Sequence, residues 1–140
     1  MPKPEPVLLD TCAIIWLMNR QPMSEDSLAA IRAAQTGRVG VFVSAVTAWE
    51  IGTLVAKGRL QISQPVETWF ERVIAQPGVR LTPLSPAILV RSTTLPGSPP
   101  ADPADRMVLA TARELGCPVV TRDGGILAYG EVGHVRAVSC

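Results

Sequence analysis

The sequence is poor in the residues that build disulfide frameworks and zinc centres. It has three cysteines and one histidine in 140 residues. Cys12, Cys117 and Cys140 are odd in number and far apart, and none forms a CxxC pair or a Cys/His ligand spacing. The pattern argues against a disulfide-stapled secreted domain and against a structural zinc site. Because the only histidine, His134, is distant in the sequence, we expect Cys12 to be a packed side chain rather than a nucleophile.

Excess charge of one sign and long apolar runs are also lacking. Thirteen Lys and Arg residues against 12 Asp and Glu residues leave a net charge of +1, so no global field indicates a nucleic-acid or membrane partner. No run approaches the ~18 apolar residues of a membrane-spanning helix, and residues 1–11 lack the pattern of a signal peptide. We therefore expect a cytoplasmic protein without membrane contact, whose charge chemistry is local.

What the chain does contain is an alternation of strand and helix patterns. Short apolar runs predict strands at 7–10, 39–45 and 118–121, with weaker candidates at 79–84 and 135–140. Helices are predicted at 11–19, 24–35, 45–57, 65–76, 85–94 and 103–115. The alternation indicates an α/β fold with a parallel sheet covered on both faces. With 47% hydrophobic residues in this length, we expect a single domain over residues 1–140.

Five of the 12 acidic residues are predicted to fall at one edge of that sheet. In a parallel α/β fold the carboxyl ends of strands and the amino ends of helices share an edge, which is where such proteins bind ligands. The five residues that the pattern places there are Asp10, Glu50, Asp102, Asp105 and Asp123.

Four of these acids also have a simple structural interpretation. Asp10 and Asp102 each precede a predicted helix and are good N-caps, with Asp105 as a capping-box partner of Asp102. Asp123 precedes two glycines and is a good turn residue. The sequence alone leaves the structural and the functional interpretation open for each of them.

Glu50 and Asp105 are harder to explain by local structure. Helical spacing places Glu50 beside Val46 and Leu54, and Asp105 on a stripe with Val108, so both face the core side of their helices. Buried carboxylates that gather without a partner cost several kcal/mol. No lysine or arginine is an obvious partner, so the pattern predicts a bound divalent cation. Ligands that are all oxygen favour Mg²⁺ or Mn²⁺ over zinc.

Three segments carry a family resemblance: LLDTCAIIWL (8–17), SAVTAWEIGTLVAKGRL (44–60) and DPADRMVLATARELGCPVVTRDGGILAY (102–129). In their order and spacing they resemble the PIN-domain family, and specifically its VapC-type toxin branch. The resemblance implies an α/β/α sandwich around a central parallel sheet, with Rossmann-like topology. It also implies a Mg²⁺- or Mn²⁺-dependent endoribonuclease that is neutralised by a cognate antitoxin.

The same resemblance assigns roles to the acids. It implies Asp10, Glu50, Asp105 and Asp123 as the catalytic and metal-binding residues, and Asp102 as an additional ligand of this branch. Among them we expect Asp10 and Asp105 to bind the metal directly. Glu50 is expected to be a ligand or the base that positions water, and Asp123 an outer ligand. A water activated by the metal would attack the phosphodiester, and the preference for RNA rests on the resemblance alone.

Two departures from the family pattern accompany the match. Many relatives have a histidine just before the DPADR segment, whereas residues 99–101 are Pro-Pro-Ala here, so any substrate contact of that histidine is absent or replaced. Other PIN domains often have a further acid after the position of Asp123, whereas residues 124–126 are Gly-Gly-Ile, and we therefore expect no second tightly held metal. Thr11 and Thr121 match hydroxyl positions that support the site.

The segment 12–18 suggests partners. CAIIWLM is apolar on all sides, so it needs cover beyond the sheet. One explanation is cover by the helix at 24–35, and the other is an interface for a homodimer or for the antitoxin, anchored by Trp16. Candidate phosphate contacts of an RNA substrate are Arg20, Lys57, Arg59, Arg106 and Arg122.

Other functions fit the sequence less well. A response-regulator receiver needs an acidic pair after the first strand and a lysine at the end of the last, and the chain has neither. A haloacid-dehalogenase-type phosphatase needs an aspartate where Cys12 stands. The remaining alternative is a non-catalytic PIN domain that acts as a protein- or nucleic-acid-binding module.

Overall fold

Five parallel strands form the centre of the protein in a computed structural model that describes residues 3–140. The strands are β1 (Val7–Leu9), β2 (Val41–Ser44), β3 (Val79–Thr82), β4 (Val119–Thr121) and β5 (Ala137–Ser139). Their spatial order is β3-β2-β1-β4-β5, and every neighbouring pair is parallel. All five predicted strands are confirmed, the two weaker ones included, although each is shorter than its apolar run.

Seven helices connect and flank these strands. They are α1 (Thr11–Met18), α2 (Glu25–Thr36), α3 (Ala45–Ala56), α4 (Val66–Ile74), α5 (Pro86–Ser92), α6 (Pro103–Leu115) and α7 (Gly124–Glu131). Six of them were predicted. The seventh, α7, was not, because its two opening glycines resemble a turn. The structural interpretation that the sequence offered for Asp123 was a turn; its side chain instead caps α7 by accepting from the backbone N–H of Ile126 at 2.9 Å.

The central strands β1 and β4 are buried on both faces, as their continuous apolar runs predict, whereas the edge strands β3 and β5 are partly exposed. Val7 and Leu9 of β1 point into one apolar cluster, to which α1, α2 and α4 contribute, and Leu8 points into the other, which α6 and α7 cover. All three side chains are at most 2% exposed. The predicted α/β/α sandwich is confirmed.

The connections place a crevice above β1 and β4. The chain runs from β1 outward through β2 to β3, and then returns to β4 on the other side of β1. At such a reversal the loops after the two central strands diverge and leave a cleft at the carboxyl ends. Asp10 follows β1 directly, and Asp123 follows β4 after one intervening residue. Within residues 3–140, no helix combines the length and the apolar character needed to cross a membrane.

Candidate active site

The crevice at the carboxyl ends of β1 and β4 is an acidic cleft of about 330 Å³. Asp10, Glu50, Asp105 and Asp123 line it together with Thr11, Cys12 and Arg122. Asp102 lies beside Glu50 and Asp105. The structure thus brings together all five acids that the sequence placed at this edge.

Asp10 is buried, with 4% of its surface exposed, and both of its carboxylate oxygens accept hydrogen bonds. Oδ1 accepts from the backbone N–H of Thr11 at 2.8 Å, which makes Asp10 the N-cap of α1. Oδ2 accepts from the hydroxyl of Thr121 at 2.8 Å and from the thiol of Cys12 at 3.6 Å. Burial raises the pKa of Asp10 although these donors oppose the rise. The capping interpretation and the cleft position both hold for this residue.

Glu50 is half-buried on α3 and faces α1, as its helical neighbours predicted. The hydroxyl of Thr11 donates to Oε1 of Glu50 at 2.6 Å, and the hydroxyl of Thr47 lies 3.1 Å from that of Thr11. Because the Thr11 proton is directed to the carboxylate, Thr47 supplies the proton between the two hydroxyls. Burial raises the pKa of Glu50, the Thr11 bond lowers it, and the neighbouring aspartates raise it further.

Asp102 and Asp105 open α6 with different surroundings. Asp102 is exposed and caps the helix, since its Oδ2 accepts from the backbone N–H of Asp105 at 3.0 Å. Among the described residues no hydrogen bond is made to the carboxylate of Asp105, so the reciprocal bond of a capping box is absent. The pKa of Asp105 is raised to about 7, and burial is the largest cause. The negative charges of the neighbouring acids raise it further, in the order Asp123, Asp10, Asp102 and Glu50.

The carboxylates fit a divalent cation. One oxygen from each of Glu50, Asp102 and Asp105 lies within 4.8 Å of the others. Three like charges at that separation repel one another unless a cation lies between them, and hard oxygen donors suit Mg²⁺ or Mn²⁺. Asp10 and Asp123 line the same cleft outside this group of three. The tightest group of acids therefore includes Asp102, the additional ligand that the resemblance implied, rather than Asp10, which we expected to bind the metal directly.

Asp123 links the carboxyl ends of β4 and β1. Its backbone N–H donates to the hydroxyl oxygen of Thr121 at 2.9 Å, and that hydroxyl donates in turn to Asp10. Its own carboxylate caps α7. A Cβ on Gly125 would lie 3.1 Å from Oδ2 of Asp123, so the glycine that obscured α7 in the sequence makes room for the capping carboxylate.

A sequence model of the PIN domain matches residues 7–132. The chain belongs to the PIN-domain family. The match covers every strand except β5 and every acid of the cleft. The family resemblance seen in the three sequence segments is thereby confirmed.

Several known proteins are similar over nearly the whole chain. Ribonuclease VapC22 of Mycobacterium tuberculosis is 34% identical over 134 residues, which cover 95% of this chain and 96% of that protein. Among solved structures, VapBC2 from Rickettsia felis bound to a promoter DNA fragment matches with a TM-score of 0.69 at 11% identity, over 96% of this chain and 98% of the other. FitAcB from Neisseria gonorrhoeae matches with a TM-score of 0.58 at 22% identity, over 94% and 95%. These two structures support the fold.

Two contacts in this PIN domain were not predicted from the sequence. Thr47 is fully buried and joins Thr11 in holding Glu50; its position three residues before Glu50 on α3 was the available signal. Cys12 contacts Asp10 and accepts from the backbone N–H of Arg122 at 3.3 Å. Burial and the charge of Asp10 raise the pKa of the Cys12 thiol to about 11, which agrees with a packed side chain rather than a nucleophile.

The five basic candidates for phosphate contact lie in different places. Arg122 alone lines the cleft. Arg106 is directed to the carbonyl of Pro100, to which its Nε donates at 2.6 Å, and Arg20 lines a separate groove between α1 and α4. Lys57 and Arg59 are exposed beyond the end of α3. Of the five, the geometry favours Arg122.

Proposed function

We propose that this protein, a single PIN domain over residues 1–140, is a divalent-metal-dependent endoribonuclease toxin of the VapC type. The observation that carries the proposal is the cleft, in which oxygens of Glu50, Asp102 and Asp105 converge within 4.8 Å beside the buried Asp10. The 34% identity to Ribonuclease VapC22 supports the choice of RNA as the substrate.

Mg²⁺ or Mn²⁺ would be held by Glu50, Asp102 and Asp105, with Asp10 and Asp123 completing the acidic surroundings. When bound, the cation supplies the positive charge that lets a phosphodiester approach an acidic cleft, and it polarises a water molecule. RNA and metal binding are therefore coupled: without the cation, substrate and carboxylates repel each other.

The protein's own part is to orient the carboxylates. The hydroxyl of Thr11 fixes Oε1 of Glu50, and that of Thr121 fixes Oδ2 of Asp10. Both threonines are buried, so neither carboxylate turns freely. Glu50 is the residue best placed to orient an attacking water and accept its proton, because it is half-buried, held by a donor and open to the cleft. If the P–O3′ bond is the one that breaks, attack by water would leave a 5′-phosphate and release the 3′-oxygen as a hydroxyl, and it would need no 2′-hydroxyl nucleophile.

A cognate antitoxin and a second copy of the chain are the proposed protein partners. Support comes from the VapC-type relative and from α1, which packs on β1, β4 and α3 yet leaves Ile15, Trp16, Leu17 and Met18 only partly buried. A half-covered apolar helix with an aromatic residue suits an interface. Size-exclusion chromatography with light scattering of the protein alone, and after co-expression with its antitoxin, tests both partners.

Metal titration during cleavage of a mixed RNA pool tests the activity. We expect cleavage with Mg²⁺ or Mn²⁺, none in EDTA, and a loss of about 100-fold or more in Glu50→Gln, because the lost group acts in the transition state. Glu67→Gln, an exposed acid in the first turn of α4, is the matched control and should cleave like the wild type. If RNA is bound but never cleaved at any metal concentration, the protein is a non-catalytic binding module and the proposal is wrong.

A further inference from the structure

Arg122 is a cation at an acidic cleft that is not engaged with the acids. It lies between Thr121, the last residue of β4, and Asp123, the cap of α7, and it lines the cleft that contains Asp10 and Asp105. The ion pairs among residues 3–140 are Arg91–Glu114 and Arg136–Glu5, so no carboxylate of the cleft lies within 4.0 Å of the Arg122 guanidinium. Its charge is available to another anion.

Helix α1 holds Arg122 at two points. Cys12 and Trp16 are four residues apart and therefore share one face of the helix. The sulfur of Cys12 accepts from the backbone N–H of Arg122 at 3.3 Å, and the guanidinium carbon of Arg122 lies 3.6 Å from the ring centroid of Trp16. The first contact fixes the backbone of the residue and the second fixes its side chain.

The guanidinium N–H groups of Arg122 donate to no acceptor among residues 3–140. An arginine that lies over an aromatic ring uses the face of its planar group, while its N–H groups point outward in the plane. Those in-plane donors match two oxygens of a phosphate. Trp16 thus restricts the long side chain before substrate arrives, which lowers the ordering cost of binding. An exposed arginine without such a platform would lose more side-chain entropy for the same contact.

Given the proposed function, the anion that reaches this cleft is an RNA strand. We propose that Arg122, held against the ring of Trp16, binds a phosphate of the RNA strand at the α1 side of the acidic cleft. Arg122 touches the substrate in this proposal, whereas Trp16 is a positioning residue that acts through Arg122. The contact reads the backbone and not the bases, so it adds affinity without sequence preference.

The test measures binding and cleavage of a fluorescently labelled single-stranded RNA of random sequence. Binding is followed with the acidic cleft intact, in Ca²⁺, a hard cation that takes the same oxygen ligands, under conditions in which a gel shows the RNA uncut, and KM and kcat are measured in Mg²⁺. We expect Arg122→Gln to raise Kd and KM roughly tenfold with kcat almost unchanged. The slope of log Kd against log salt should fall by ~0.7, the contribution of one single-strand phosphate. Pools of different base composition should be affected equally.

Arg32→Gln is the matched control, because Arg32 is exposed on α2 and does not line the cleft. It should leave Kd, KM and the salt slope unchanged. Trp16→Leu should raise Kd severalfold but add nothing to Arg122→Gln, and Trp16→Phe should restore most of the affinity. A merely structural role of Trp16 would instead give independent, additive losses. Should Arg122→Gln fail to fold, Arg122→Lys carries the comparison: charge and salt slope are kept, and Kd still rises because the planar fork is lost.

The outcomes separate this proposal from the proposed function. If the wild type cleaves RNA but Arg122→Gln behaves like Arg32→Gln, only the role of Arg122 is overturned. If the wild type binds RNA without cleaving it, the ribonuclease proposal is wrong, and the Kd values still decide the role of Arg122. A wild type that neither binds nor cleaves RNA overturns both.

Discussion

Asp105→Asn should stabilise the metal-free protein, although it removes a residue of the proposed metal site. The substitution keeps the shape of the side chain and removes its charge. Burial is the main reason that the pKa of Asp105 is raised to about 7, and the charges of four neighbouring acids add to it. Asp105 makes no capping bond that the asparagine would lose, because the cap of α6 is Asp102.

The sign of the effect follows from the direction of the pKa change. The folded state holds the Asp105 proton more tightly than the unfolded chain, whose pKa is near 3.8. The contribution of this group to stability is therefore fully present below about pH 4 and is lost as the pH rises to about 7. Only the charged aspartate suffers this loss, so the advantage of the asparagine variant should grow over the same pH range.

The magnitude is bounded by the same pKa values. A rise from 3.8 to about 7 corresponds to at most ~4 kcal/mol at neutral pH. Asp105 is only half-buried, so solvent screening reduces this bound to ~1–2 kcal/mol. The variant also loses a negative charge that stabilises the first turn of α6, and this loss offsets about 0.5 kcal/mol of the gain. A net gain of ~1 kcal/mol should raise the melting temperature by about 3–5 °C for a domain of this size.

Thermal unfolding in EDTA, followed by circular dichroism at pH 4 and pH 7.5, measures the effect. Asp26→Asn is the matched control, because it makes the same substitution at an exposed first-turn position of α2. We expect Asp105→Asn to melt above the wild type at pH 7.5 and level with it at pH 4, and Asp26→Asn to show no such gain. Added Mg²⁺ or Mn²⁺ should reverse the order of the two melting temperatures. Free metal at 100 times its Kd stabilises a protein that binds it by ~2.7 kcal/mol, and only the wild type should bind it. If Asp105→Asn melts below the wild type in EDTA at pH 7.5, the claim that the charge of Asp105 destabilises the metal-free protein is wrong.

Three further substitutions separate structural from catalytic roles. Asp10→Asn should leave the metal-free protein no less stable in urea unfolding at pH 7.5, because removing a charge that burial disfavours offsets the one hydrogen bond that an amide cannot accept; a clear loss of stability would mark Asp10 as mainly a structural cap. Asp102→Ala should lower stability by ~1 kcal/mol, because α6 loses its N-cap. Asp102→Asn should recover that stability but should not recover cleavage. If it recovers both equally, the role of Asp102 is restricted to capping. Thr11→Val removes the hydroxyl whose hydrogen bond lowers the pKa of Glu50. The acidic limb of the pH–rate profile should therefore move to higher pH. A limb that does not move would exclude Glu50 as the titrating group.

Much of the site could be predicted because it depends on element order. An acid at the end of a strand or the start of a helix is placed by topology alone once the sheet is parallel. Asp10, Asp105 and Asp123 were located in this way, and Glu50 by the apolar residues around it on α3. The sequence left open whether Asp10 and Asp102 were caps and Asp123 a turn residue, or whether all three were site residues. In the structure each is an N-cap and also lies at the cleft, because caps and ligand edges coincide in this fold.

By itself, the sequence determined the alternation of strands and helices, the two-sided burial of the central strands and the edge at which the acids gather. These properties follow from local periodicity and chain order, which are read directly from the residues. Tertiary structure alone decided that Thr47 reaches Thr11, that Gly125 makes room for the cap of α7, and that Arg122 lies on Trp16. Those contacts join residues that are far apart in the chain, or depend on a spacing of a few tenths of an ångström. Only the packed protein specifies such distances, because no pattern along the sequence encodes them.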